Sequence, residues 1–275
     1  MDYSIYIENQ KDRPAAELFR RLMDLWHYTK VIITDSPQNQ NADIILKRDA
    51  SLPAEGFRLV CDNGNATVFG SCTRGVTYGI SELLKHIGKN NIDITESPFL
   101  PIRGTHFYLP AQESVEGFKR IIDMLALLRY NTIIIEVAGG MEYKNHPEIN
   151  EGWIAHCDRI NNYPGSNSDY QSTYPFYKNS THTELAGGSF LSQDTVRSIV
   201  DHAKGYGIDV VPELQFISHS YHIVASHPEL AERVNDFNHD TLCPRNEGSY
   251  KLYFEMAEEV LDVFKPKRVS VGMDV

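Results

Sequence analysis

Four short segments set the terms for everything after residue 100. They read "IRGTHFYL", "NTIIIEV", "IDVVPEL" and "RVSVGM", rich in β-branched and apolar residues and too short for helices. Helical spacing fills the gaps between them. In "SVEGFKRIIDMLALLRY", Val115, Phe118, Ile121, Ile122, Leu125 and Leu128 fall on one inward stripe, with Ser114 as an N-cap. "SQDTVRSIVDHAKGYG" and "GSYKLYFEMAEEVLDVFKP" predict two further helices, and 138–190 reads as a long polar insert. Strand–helix alternation with continuous apolar strands predicts a parallel α/β sheet covered on its faces. An eight-stranded β/α barrel is the first expectation and an open doubly wound sheet the second. No GxGxxG or GxxxxGK[ST] follows any strand, which weighs against a nucleotide-binding sheet. A whole barrel takes about 250 residues. Residues 98–275 hold four strands, so this part reads as the first half of a (β/α)8 barrel, cut after strand four. Open strand edges would follow, and with them marginal stability and possible self-association.

Before residue 98 the pattern differs. "RPAAELFRRLMDLWHY" places Leu18, Leu22, Leu25 and Trp26 at helical spacing, with Pro14 in the first turn. "KVIIT" and "ADIILK" read as strands. "FRLVCDNGNATVFG" reads as a hairpin turning on Asn63-Gly64. "GVTYGISELLKHIG" aligns Val76, Ile80, Leu83, Leu84 and Ile87 and stops at Gly88. Residues 1–97 are therefore expected to form a small α+β domain, joined to the barrel part by the Pro98 and Pro101 linker.

The net charge of −11 and the lack of a basic helix face argue against nucleic acid. No run approaches a membrane span, and the N-terminus shows no signal peptide. With four scattered cysteines and no CxxC pair, a cytoplasmic, cofactor-free protein is the simplest expectation.

Reactive groups in β/α barrels sit at C-terminal strand ends and in the loops beyond. The candidates at these places are Arg103, Glu136, Glu142, Glu213, His219 and Asp274, with His182 and Glu184 in the insert segment "NSTHTELAGGSF". Each has a plainer alternative. Arg103 suits a pairing with a carboxylate, and Glu136 a buried ion pair. His219, His222 and His227 lack the spacing of a metal motif, so no metal is expected, and His222 and His227 read as satisfied histidines. Tyr163, Tyr170, Tyr174, Phe176 and Tyr177 suit either sugar stacking or packing of their own loop. Carboxylates on several strand ends with Arg and His fit hydrolysis of a hydroxylated substrate.

Several blocks resemble glycoside hydrolase family 20, the β-N-acetylhexosaminidases. "GVTYGISELLKHI" is similar to the end of that family's small N-terminal domain, and "PIRG" to the start of its barrel. "GGSFLSQDTVRSIVDHAKGYGIDVVPELQFISH" resembles the block through strand three, and "VSVGMDV" its "HIGGDE". The resemblance implies an N-acetylhexosaminide substrate and substrate-assisted catalysis, in which the sugar's own acetamido oxygen attacks the anomeric carbon. It implies Arg103 on sugar hydroxyls, His219 tuning the general acid, and Asp274 orienting the acetamido group. Departures mark a divergent branch. The adjacent glutamate position, the general acid, is Val275. Gly139 stands where an aspartate is usual, with Glu142 as a substitute. Gln215 replaces an acid and Ser270 a histidine, and His182 and Glu184 are candidate new contacts. Three functions stay open: a hexosaminidase-type hydrolase, a non-catalytic carbohydrate-binding relative or inactive fragment, and a barrel glycosidase indifferent to the acetamido group.

Overall fold

The computed structural model describes residues 2–36, 41–162, 182–233, 235 and 239–273. Two compact units divide the chain. The first joins Met1–Gly104, Lys119–Thr132 and Asp201–Asp209; the second joins Thr105–Phe118, Ile133–Val200 and Val210–Val275.

The first unit carries a six-stranded sheet of β1 (Tyr3–Ile7), β2 (Val31–Thr34), β3 (Ile44–Arg48), β4 (Phe57–Asp62), β5 (Asn65–Gly70) and β6 (Ile92–Glu96), in the order β2-β1-β3-β5-β4-β6. The β2-β1-β3-β5 pairings are parallel, whereas β4 runs antiparallel to β5 and β6. The predicted hairpin is β4–β5. Its turn residues Asn63 and Gly64 have φ of 50° and 80°, the left-handed pair that Asn-Gly accepts at least cost. Helix α2 (Thr73–Lys85) buries Val76, Ile80 and Leu83 as its spacing predicts. Helix α1 (Arg13–His27) forms where expected but turns a different face inward. Ala15, Ala16, Phe19 and Met23 join Leu18 in burial, while Leu25 and Trp26 are exposed. Ala15 and Ala16 belong to the same apolar cluster as sheet residues Ile5, Ile44 and Val68, where small side chains permit close helix–sheet approach.

A polar cluster lies inside this unit. Glu55 accepts from Arg74 Nη1 and Arg103 Nη2, each at 2.5 Å, and from Asn131 Nδ2 at 3.1 Å. Burial alone would raise its pKa, but the bonds from Arg103, Arg74 and Asn131 outweigh that and hold the carboxyl below its usual value. The group is therefore ionised, and its contribution is present above the unfolded carboxylate range and lost as pH falls through the lowered pKa. Glu55→Ala leaves the largely buried Arg103 guanidinium without its carboxylate and Arg74 with Asp209 alone, and is expected to cost about 3 kcal/mol. Urea unfolding at pH 7 checks this, and a loss below about 0.5 kcal/mol would contradict it.

The second unit holds all but the first residue of each of β7 (Gly104–Tyr108), β8 (Thr132–Glu136) and β9 (Asp209–Glu213), hydrogen-bonded in that order. The main-chain bonds advance the same way along neighbouring strands: Asn131 N to Arg103 O then Leu109 N to Glu136 O, and Asp209 N to Asn131 O then Val137 N to Glu213 O. The sheet is therefore parallel. The fourth predicted strand is present as a short parallel pairing of Ser270 with Glu213, held by Ser270 N to Pro212 O, Leu214 N to Ser270 O and Phe216 N to Val271 O. Helices α3 (Val115–Leu127), α5 (Gln193–Gly205) and α7 (Glu247–Phe264) alternate with the strands, giving the strand–helix order of the first half of a β/α barrel. On α3, Val115, Phe118, Ile122 and Leu125 are buried, but Ile121 and Leu128 face solvent, narrowing the predicted stripe.

The stretch read as a polar insert contains a further helix, α4 (Pro147–Asn161), with Pro147 in its first turn and Ile149, Trp153, Cys157 and Ile160 buried. A short helix, α6 (Tyr221–Val224), follows β9. Among the described residues no helix is long and apolar enough to cross a membrane.

Candidate active site

The C-terminal ends of β7, β8 and β9 bring titratable groups together within the second unit. Glu136 ends β8 and Glu213 ends β9; His106 comes from β7, two residues before its end. His106 Nε2 lies 3.1 Å from Glu213 Oε1, and Ser270 Oγ donates to Glu213 Oε2 at 2.5 Å. Gln215 Nε2 adds a third bond to the same carboxylate, at 3.2 Å from Oε1. The His106 bond is the chief cause of a lowered Glu213 pKa; burial opposes it, and Ser270 reinforces it. Glu213 is thus a stable anion.

Glu136 is buried, 1% exposed, and its Oε1 lies 2.7 Å from His182 Nδ1. The His182 ring stacks on His219 with centroids 4.5 Å apart and approaches Tyr108 at 5.2 Å. His182 and His219 have φ of 55° and 48°, and Ile217 of 70°. Three non-glycine residues in the left-handed region around one cluster is strain held by the surrounding structure, a pattern concentrated at functional sites.

The candidates named from sequence divide accordingly. Glu136, His182, Glu213 and His219 meet at the strand ends. Glu142 instead accepts from the main-chain N of Gln193 at 3.4 Å, at the start of α5. Glu184 is exposed. In the first unit the Arg103 guanidinium is occupied by Glu55, by Tyr78 OH at 2.7 Å, and by the carbonyls of Leu100 and Arg129. Asp274, Val275 and the aromatic residues from Tyr163 to Tyr177 lie outside the described residues. The sequence reading missed His106, although a polar residue inside "THFYL" was its available signal.

Two further histidines lie deeper. His156 is layered between Trp153 and Tyr221, at 5.7 and 4.9 Å, and desolvation chiefly, with help from Arg159, pushes its pKa down to about 4. His222 is fully buried, its pKa pushed down to about 3 by desolvation above all. It is a neutral core group, with a main-chain hydrogen bond at His219 opposing the desolvation. His227 finds partners in Glu229 and Glu148.

Just past β8, where the resemblance leads one to expect an aspartate, Gly139 packs against Trp153. A Cβ there would lie 2.5 Å from Trp153 Cγ and 2.6 Å from its Cβ.

A half-barrel sheet with carboxylates and imidazoles gathered at its strand ends has the layout of a β/α-barrel active site. The model of glycosyl hydrolase family 20, catalytic domain, matches residues 110–275, and that of the family's domain 2 matches residues 1–96. The chain belongs to glycosyl hydrolase family 20. It is 24% identical over 263 residues to a beta-hexosaminidase of Porphyromonas gingivalis, covering 82% of this chain and 30% of that protein. A Vibrio furnissii beta-hexosaminidase is 25% identical over 262 residues, covering 85% of this chain and 39% of the relative. This chain therefore spans about a third of these curated relatives. The crystal structure of an exo β-N-acetylglucosaminidase of Vibrio harveyi with N-acetylglucosamine superposes with a TM-score of 0.75 at 20% identity, over 100% of this chain and 44% of the other.

Proposed function

We propose that this chain carries the sugar-binding half of a β-N-acetylhexosaminidase-type active site, acting on terminal N-acetylhexosamine residues by substrate-assisted catalysis. The observation that carries the reading is the convergence of Glu136–His182, His219 and Glu213–His106 at the strand ends of a family 20 chain. Family membership and the beta-hexosaminidase names of its relatives supply the chemistry. In this reading residues 1–97 form the non-catalytic domain and 98–275 the barrel part. Asp274 orients the 2-acetamido group, and Glu213 and Glu136 accept hydrogen bonds from sugar hydroxyls. His219, stacked on His182, borders the leaving-group side. Arg103, held by Glu55 within the first unit, takes no part in this reading.

A second reading, carbohydrate binding without turnover, is favoured by one residue: Val275 occupies the general-acid position and carries no proton to donate. The two readings share a binding step and part at hydrolysis. Isothermal titration is expected to show N-acetylglucosamine binding at least about tenfold more tightly than glucose, a difference of about 1.4 kcal/mol. Glu136→Ala and His182→Ala are expected to weaken it. The same protein is expected to release little p-nitrophenol from p-nitrophenyl N-acetylglucosaminide. Robust turnover would overturn the role given to position 275, and binding of neither sugar would overturn the site.

A further inference from the structure

We propose that His106, Glu136 and Glu213 form a binding site for one divalent transition-metal ion, with Zn²⁺ the ion its donors suit best. Each residue offers one ligand atom, and the three atoms lie within 4.8 Å of one another. Two ligands of a single Zn²⁺ stand roughly 3.5 Å apart when each is about 2.1 Å from the metal. Small rotations of these side chains therefore close the set on an ion. One imidazole nitrogen and two carboxylate oxygens, with no thiolate, suit Zn²⁺ or Mn²⁺ better than the all-oxygen preferences of Ca²⁺ and Mg²⁺.

The groups around the three donors already do what outer-sphere partners do at metal centres. His182 Nδ1 meets Glu136 Oε1, and Ser270 Oγ donates to Glu213 Oε2. Each carboxylate thus has one oxygen fixed by His182 or Ser270, and the other Glu213 oxygen faces His106 while also accepting from Gln215 Nε2. Charge points the same way. Glu136 and Glu213 are two carboxylates close together and mostly shielded from water, an arrangement a divalent cation between them neutralises. Gln215 supplies an independent sign. Its side chain is buried, its amide lies on Glu213, and its Oε1 has no hydrogen-bond partner among the described residues. Access comes from the His106 side, where the side chain is 43% exposed, so a bound ion keeps coordination positions open to water or to ligand hydroxyls.

The three donors are also groups of the proposed sugar site, and the two readings are told apart because ion binding is measured without any sugar. The chelator-stripped full chain is titrated with ZnCl₂ by calorimetry, and bound metal is counted after desalting. One ion per chain is expected. His106→Ala, at an exposed position that leaves folding intact, is expected to weaken binding at least about tenfold. Glu213→Gln, which keeps the side-chain volume, is expected to do the same. With Co²⁺ in place of Zn²⁺, the visible absorption of the bound ion is expected to change in both variants. His146→Ala serves as the control, since His146 belongs to a separate surface set with Glu148 and Glu255. No bound ion, or binding that His146→Ala removes and His106→Ala does not, would overturn the proposal. Zinc binding in a protein that ignores N-acetylglucosamine would uphold it while sinking the sugar site.

Discussion

Acidification from pH 7 to pH 4.5 is expected to cost the second unit about 5 kcal/mol of stability, largely before its carboxylates protonate. The cause is two imidazoles held neutral. His156 and His222 have pKa values pushed down to about 4 and about 3. In the unfolded chain both titrate near 6.5. Between these values the unfolded state binds protons that the native state refuses, so stability falls as pH falls, by up to about 1.4 kcal/mol per pH unit for each group. The window opens near pH 6.5 and widens down to pH 4. Groups with lowered carboxylate pKa, Glu213 among them, add their loss only below about pH 4.5. Against a total stability of roughly 5–15 kcal/mol this is enough to unfold a marginal protein. Urea unfolding at pH 7.5, 6.5, 5.5 and 4.5 reads the slope, and His222→Phe and His156→Phe are each expected to halve it. A midpoint that stays level between pH 6.5 and 4.5 would show that these rings find protons in the folded state.

The second large effect falls at Gly139, just past strand two. Gly139→Asp adds a carboxylate there, yet it is expected to destabilise by about 3 kcal/mol or more and to gain no activity. Cβ itself is the obstacle, because it meets Trp153 at 2.5 Å, and Trp153 is 1% exposed with no room to retreat. Gly139→Ala is therefore expected to carry most of the penalty. In a double-mutant cycle, Trp153→Leu is expected to relieve the Gly139→Ala cost, giving a coupling of about 1–3 kcal/mol. If Gly139→Ala melts with the parent, the clash is not what excludes the aspartate. Any side chain at position 139 is thus coupled to a tryptophan on α4, and admitting one takes more than one substitution.

The strands and most helices were legible because each advertises itself over a few residues. β-branched runs and i, i+3, i+4 stripes are local, and so is the Asn63-Gly64 turn. Bulk is a poorer guide to a buried face than fit. On α1 the sheet takes Ala15, Ala16, Phe19 and Met23 in place of Leu25 and Trp26, and on α3 Ile121 and Leu128 are left exposed. Helix α4 was hidden by its polar neighbours, although Ile149, Trp153 and Ile160 carry its period. At the site, a carboxylate at a strand end can be read from pattern, and Glu136 and Glu213 were. Their partners cannot. His182 returns to Glu136 from 46 positions away, and His106 reaches Glu213 across 107, through backbone geometry that no local rule encodes.

The composition of the first unit has a consequence for how this protein comes off the ribosome. Its sheet is finished by Glu96, but the unit also claims Lys119–Thr132 and Asp201–Asp209. Arg74 shows the tie, since it holds Asp209 at 2.9 Å as well as Glu55. A nascent chain makes roughly 5–20 residues per second, so these last members arrive about 5–20 seconds after the sheet has emerged. During that interval Arg74 and the loop around Glu55 await partners not yet synthesised. The N-terminal unit therefore starts first and closes late, and a ribosome stalled between residues 132 and 201 would display its sheet with that edge of the unit unfinished.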